Sequence, residues 1–453
     1  MLRAIHSNRV EDLMAALLEA LPPADPFAPT TIIVGSHLVA RWLSREIAFA
    51  RGIATALDLV TFDRFVERVW AGDDAGRQAG LAALDRGMLG AAFASVLADA
   101  DLVRRLPPVA AYLEAAPAPD DRAGPRRVQL AEHLASLTWS YALSRPDWMP
   151  ALVIGQVPSE LAGDPTARWQ AQLIGAALSR LPADRRWAPA PMLPWLRRRA
   201  GLSAPRLDAP VIAFGMSFFA RAQLEALTDL AATTEVSVYI LDPCEELWDD
   251  VAGRATDVII DPLPLVLWGR PVRDTLAALV ERTGGDLDGR FGEPPLAEAP
   301  ATARDRLLAD VRTRRVPELE PSAREAGVGV LACPNPRREI EVIASEARRQ
   351  LDGDPTLCAH EIAVWIAGEA EHYLAQAPSA FEAVGVPCHL IDAPIDDRGR
   401  IGEAVLALLE LPTSAMARRD LLRVMTHPAV LAGHPHVAAA DWVRWTERLG
   451  IAH

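Results

Sequence analysis

The sequence predicts an α/β protein made of two blocks of parallel βαβ pattern, the first interrupted by a long helical stretch. Three observations carry this. Residues Thr31–Arg51, TIIVGSHLVARWLSREIAFAR, read as a β-branched strand that turns through Gly35-Ser36 into an amphipathic helix. Residues 72–204 show helical patterning almost throughout, cut by Pro, Asp and Gly. Strand signals then return at Pro210–Gly215, and again at Val328–Ala332 beyond a Gly/Pro/Glu/Asp-rich stretch at 283–325 that reads as a linker.

In order, Ile5-His6-Ser7-Asn8-Arg9 ends a short first strand, and a Ser/Asn cap starts a helix with Leu13, Leu17 and Leu18 on its apolar face. Pro22, Pro23, Pro26 and Pro29 break that helix before the strand at Thr31. In the next helix Leu38, Val39, Trp42, Leu43 and Ile47 share one face, and His37, Arg41 and Arg45 another. A helix follows at Phe62–Trp70, with Phe62, Phe65, Val66 and Val69 at helical spacing. The helical stretch divides near Ala82–Ala100, Pro107–Ala116, Arg126–Leu143 and Thr166–Leu181. Helix Arg221–Leu230 and strand Val236–Leu241 complete the first block. The second block begins with Val328–Ala332, a turn at Cys333–Pro336 and helix Arg338–Leu351. Strands Ile362–Ile366 and Val386–Ile391 and helices Gly402–Leu411 and Arg418–Met425 follow.

Composition narrows the function. At 453 residues, two or three domains are expected. No apolar run reaches the roughly 18–20 residues of a membrane span, and MLRAIHSNRVEDL is too charged for a signal peptide, so a cytoplasmic protein is expected. Cys244, Cys333, Cys358 and Cys388 lie far apart, and the ten histidines have no metal-ligand spacing, so no metal site is expected. The net charge of −14 argues against a free nucleic-acid binder but leaves room for an arginine-lined channel in a subunit that meets DNA within an assembly.

A strand feeding a helix through Gly-Ser is where a P-loop ATPase cradles phosphate, but that chemistry needs a lysine and a second glycine. All 46 basic residues here are arginine. Val238–Asp242 has the outline of a magnesium-binding strand end, yet Pro243 stands where a hydrolase places its glutamate, and a strand-ending turn is the plainer reading.

Several motifs together resemble the RecC family, the gamma subunit of exodeoxyribonuclease V. They are MLRAIHSNR (1–9), IIVGSHLVARWL (32–43), SRPDW (144–148), VIAFGMS (211–217), LDPCEELWDD (241–250), LLADV (307–311), CPNPRREIEVI (333–343), LDGDPTL (351–357) and APIDDRGR (393–400). The resemblance runs the length of the chain and implies the N-terminal portion of a longer protein. It implies two RecA-like domains of a degenerate superfamily 1 helicase, with an all-helical insertion in the first. The expected division is 1–71 and 205–325 for the first domain with its linker, 72–204 for the insertion and 326–453 for the start of the second. It further implies a non-catalytic subunit of the RecBCD helicase–nuclease in double-strand break repair by homologous recombination. Such a subunit would join RecB-like and RecD-like partners, guide the single-stranded 3′ tail and scan it for the recombination hotspot Chi. ATP and magnesium would belong to those partners, and this chain would hold no cofactor.

By the same resemblance the candidate DNA contacts are Gly35, Ser36, His37 and Arg41, at the start of a channel-lining helix, with Ser136, Ser140 and Arg145 in the insertion. A solvated helix face accounts equally for His37, Arg41 and Arg45, and Arg145 has the alternative of pairing with Asp147 to fix a turn. Ser136 and Trp139 stand where the family's acidic residues are expected, which implies retained strand guidance with weak reading of the familiar octamer. Trp42 reads as core, and Arg338 with Glu339 as a helix-start ion pair. Strand Ile362–Ile366 lacks the arginine an active motor needs after it. Two other classes stay open: an AddB-type nuclease subunit, and a scaffold that never touches DNA.

Overall fold

The computed structural model describes residues 1–453 except 24, 26, 28, 115–122, 252, 255–259, 293–301, 317–327, 369, 392–399, 415, 435 and 452–453. All of the motif APIDDRGR (393–400) but Arg400, and parts of the expected linker, therefore lie outside the described residues. The chain forms two compact units, Met1–Val328 and Gly329–His453.

The first unit is organised on a six-stranded, all-parallel sheet. Its strands are β1 (Leu2–Ser7), β2 (Thr30–Val34), β3 (Leu57–Thr61), β6 (Val211–Phe214), β7 (Val236–Leu241) and β8 (Leu287–Gly289), in the order β3-β2-β6-β7-β1-β8. The chain moves one way from β1 to β2 to β3, then back through β6 and β7 to β8. Right-handed crossovers then put the helices of the outward and return runs on opposite faces. Alternation along each strand shares its side chains between the two faces. Ile5, Ile32, Val34, Ile212, Phe214 and Tyr239 pack with Leu13 and Leu17 of helix Val10–Ala20 and with Leu43 and Ile47 of helix His37–Arg51. Ala4, Ile33, Val211, Ala213, Val238 and Ile240 pack on the other face with Leu224, Leu227 and Leu230 of helix Arg221–Ala231 and Leu276 and Leu279 of helix Arg270–Thr283. Trp42 stacks on Phe214 with ring centroids 6.1 Å apart, a core contact.

Between β3 and β6 the chain is mainly helical, and the core on the return face continues into it through Leu89, Phe93, Leu134 and Trp139. This stretch is not all helix. β4 (Leu81–Leu84) and β5 (Arg186–Pro189) form a two-stranded parallel ribbon, so Ala82–Leu84 are strand where helix was expected. A pairing across about a hundred residues leaves no mark in local periodicity. The stretch read as a linker likewise contains β8 and the helix Ala303–Arg312, closed by a reciprocal Thr302–Asp305 cap.

In the second unit, Ile340, Ala344 and Ala347 of helix Pro336–Gly353 pack against Ala377 and Phe381 of helix Ala377–Ala383 and against Val386. The three expected strands are not formed: residues 328–332, 362–366 and 386–391 are irregular, and the second unit shows no strand among its described residues. Val330 and Trp365 are 91% and 92% exposed. A parallel strand exists only if neighbours take its backbone groups, and no described segment does so here. The expected Arg338–Glu339 pair is also absent. Arg337 and Arg338 both bond Glu341, while Glu339 accepts from the Tyr373 hydroxyl.

Candidate nucleic-acid interface

In an open parallel sheet, ligands enter where adjacent strands send their chains to opposite faces, outside the carboxyl ends. Two such places, between β1 and β7 and between β2 and β6, are filled by protein.

At the first, the β1 residue His6 and Asp242, just after β7, meet in the interior, Nδ1 to Oδ2 2.9 Å. Asp242 is 3% exposed, and its other oxygen accepts from the Cys244 amide and the Trp248 indole, each at 3.1 Å. Phe291 stands edge-on to the His6 ring, centroids 5.0 Å apart. Asp242 is thus spent on its own turn, the plainer of the two readings of that strand end. Burial pushes the adjacent Cys244 thiol up to about 11.

At the second place two strand-end glycines close the gap. A Cβ on Gly35 would lie 3.2 Å from the Gly215 carbonyl oxygen, and one on Gly215 would lie 2.8 Å from Val39 Cγ1. Ser36 caps the following helix, its hydroxyl accepting from the Val39 amide at 3.3 Å. The Gly-Ser turn is therefore a close-packed helix start, and the sheet order puts the first crevice at β1 rather than there.

The open cleft lies elsewhere, along the edge strand β3. It has a volume of about 600 Å³, and its walls come from β3, the helix that follows, β4 and the approach to β5. Arg64, Arg68, Arg77, Arg185 and His37 line it, with Asp58, Glu67 and the half-buried Trp187. Arg68 is held by Asp58, and Arg77 by Asp74 and the Gly72 carbonyl. Arg64 and Arg185 are exposed and make no ion pair among the described residues. Such a groove can hold a polyanion by phosphate neutralisation and offers one indole as a stacking surface.

Of the seven residues singled out from sequence, only His37 lines this cleft. Gly35 and Ser36 form the adjoining helix start, and Arg41 is exposed one turn on. Ser136 and Ser140 face solvent one turn apart on helix Ala123–Ser144, and the Ser140 hydroxyl donates to the Ser136 carbonyl. Arg145 is held through Nε and Nη2: it donates to Asp147 at 2.7 Å and Glu160 at 2.6 Å, and its guanidinium lies 3.9 Å from the Trp148 ring centroid. The turn-fixing alternative is in place, and these bonds hold the Asp147 and Glu160 carboxyls below their ordinary range. Asp147 also takes Arg221, tying this turn to a helix of the sheet.

The four cleft arginines were missed by sequence reading. Arg64, Glu67 and Arg68 form the polar face of the helix whose apolar face was read correctly, so that signal was present. Arg185 lies far along the chain and becomes a neighbour only through the β4–β5 ribbon.

Residues 2–311 match the family model described as "RecC, N-terminal domain". The chain is 24% identical to the RecBCD enzyme subunit RecC of Escherichia coli K12, over 95% of this chain and 43% of that protein. It is 27% identical to the protein of the same name from Mycolicibacterium smegmatis, over 80% and 33%, and 21% identical to that of Haemophilus influenzae, over 94% and 44%. The chain spans less than half the length of these relatives.

Proposed function

The chain belongs to the RecC family, and from that premise we propose that it guides a single DNA strand as a non-catalytic subunit of a RecBCD-type helicase–nuclease. The observation that carries the reading is the arginine-lined cleft with His37 at its rim. Arginine contacts to phosphate position a strand without reading its bases, which suits guidance. The acidic remainder of the chain suits a protein that meets DNA inside an assembly, beside RecB-like and RecD-like subunits that supply ATP and magnesium chemistry.

In this reading the parallel sheet is the first of two RecA-like domains, the segment 72–204 is its insertion, and residues 326–453 begin the second. The crevices where such a domain would take nucleotide are filled by His6, Asp242 and Trp248 and by the Gly35–Gly215 approach, which supports a subunit with no cofactor of its own. The strand is the 3′-ended tail of a broken duplex under recombinational repair. It passes His37 and Arg41 at the helix start, with Ser136 and Ser140 as a second stretch. Arg145 meets a phosphate through Nη1 while Nε and Nη2 stay on Asp147 and Glu160. Few side chains here offer acceptors to base edges, so hotspot scanning for the familiar octamer is weak.

The test is anisotropy of a fluorescein-labelled oligothymidylate with the full chain across a salt series. Each phosphate contact contributes about one to the slope of log K against log salt. Replacing Arg64 and Arg185 by glutamate should lower that slope by about two. A wild-type chain without salt-dependent affinity would leave the scaffold reading in its place.

A further inference from the structure

One wall of the cleft is a helix in an unusual state. Helix Phe62–Val66 runs into a π-helical turn, Glu67–Ala71, closed by the Gly72 amide donating to the Glu67 carbonyl at 3.1 Å. Arg64, Glu67, Arg68 and Ala71 face the cleft, while Phe65, Val66, Val69 and Trp70 are buried. Isolated π-turns are rare and gather at functional sites.

What holds this turn comes from far along the chain. Arg197, 3% exposed and not part of the cleft lining, sends its guanidinium to the turn's end. Nη1 donates to the Trp70 carbonyl at 3.0 Å and to Asp73 Oδ1 at 2.7 Å, Nη2 to Asp73 Oδ2 at 2.8 Å, and Nε to the Ser203 carbonyl at 2.6 Å. Asp73 in turn accepts from the Gly76 amide at 2.8 Å. Gly72 is required at the junction, since a Cβ there would lie 2.5 Å from the Arg68 carbonyl oxygen. Relaxing the turn to α geometry removes one residue from it, and each residue of an α-helix turns the chain by about 100°. Glu67 and Arg68 would then leave their present direction.

We propose that Arg197 is a positioning residue for strand binding: by clamping the Trp70 carbonyl and Asp73 it fixes the π-turn that aims Glu67 and Arg68 into the cleft. This rests on the strand-guiding reading above. Asp58 braces Arg68 from β3 on the other side, so the turn is held at both ends.

The test uses the full chain with Arg197→Gln, which removes the fork, and Gly72→Ala, which disturbs the turn without changing charge. Hydrogen exchange over residues 67–72 should quicken in both, with segments beyond 67–76 and 197–203 unchanged. Affinity for the labelled oligothymidylate should fall about tenfold and the salt slope by about one, the loss of the one phosphate contact that Arg68 makes when the strand displaces Asp58. Because Arg197 acts through Arg68, the double variant Arg197→Gln/Arg68→Ala should bind no more weakly than Arg68→Ala. Folded variants that bind like wild type, or effects that add, overturn the proposal. If Arg197→Gln does not fold, Gly72→Ala decides it alone. A wild type that binds no oligonucleotide at any salt overturns the strand-guiding reading and this proposal with it; wild-type binding with unaffected variants overturns only the role of Arg197.

Discussion

His6 and Asp242 lie 236 residues apart and meet in the interior with 2.9 Å between Nδ1 and Oδ2. Each sits in a stretch that carries the resemblance, HSNR in one case and LDPC in the other. Their pairing joins the end of β1 to the end of β7, and Trp248 and Phe291 complete the plug.

Asp242→Ala should therefore be a stability mutation. It leaves the Trp248 indole, the Cys244 amide and His6 without their acceptor, and breaking a buried pair of this kind costs about 3–5 kcal/mol. The urea midpoint should fall accordingly. Magnesium should not change the midpoint of either protein; a magnesium-dependent rise seen only in wild type would return Asp242 to the role of a metal ligand.

Gly215→Ala should cost more than Gly284→Ala. Both glycines have φ of +70°, but a Cβ at 215 meets Val39 Cγ1 at 2.8 Å, whereas at 284 it meets open space. The strain common to both is about 1 kcal/mol, and overpacking at 215 adds about 1–3 kcal/mol. Equal shifts in melting temperature would contradict the close approach of Gly215 to Val39.

The Asp73–Arg197 pair sets an expectation for acid. The Arg197 hydrogen bonds, the largest influence, hold the Asp73 carboxyl below its ordinary value. The folded state then binds fewer protons than the unfolded one. The stability this gives is present above the unfolded value of about 4 and is lost as pH falls through the lower folded value. Wild type should lose more stability than Asp73→Asn between about pH 5 and pH 2, and parallel acid limbs would refute the coupling.

In the second unit, backbone amides at 329–332 and 363–366 should exchange rapidly, while helix Pro336–Gly353, and β2 in the first unit, stay protected. Exposed segments without ladder partners open at little cost. Slow exchange at Val330 and Trp365 in the full chain would show that they have found strand partners.

The sequence by itself determined the class of fold, the strands β1, β2, β6 and β7 with the helices beside them, and the family. Those rest on local patterns: short apolar, β-branched runs at β2, β6 and β7, the Ser36 cap, and motifs that fold as short contiguous pieces. It also determined that no lysine can serve a phosphate cradle. Tertiary structure alone decided what lies beside what. The order β3-β2-β6-β7-β1-β8 put the crevices at β1 and at Gly35–Gly215. The β4–β5 ribbon carried Arg185 to a cleft that Arg64 and Arg68 border from another helix. Arg197 reached Asp73 across 124 residues. The same limit explains the second unit, where Val330 and Trp365 have the composition of strands. A helix satisfies its hydrogen bonds within its own segment, so its signal is local. A strand, a cleft or a buried ion pair needs partners from elsewhere in the chain, and only the folded chain supplies them.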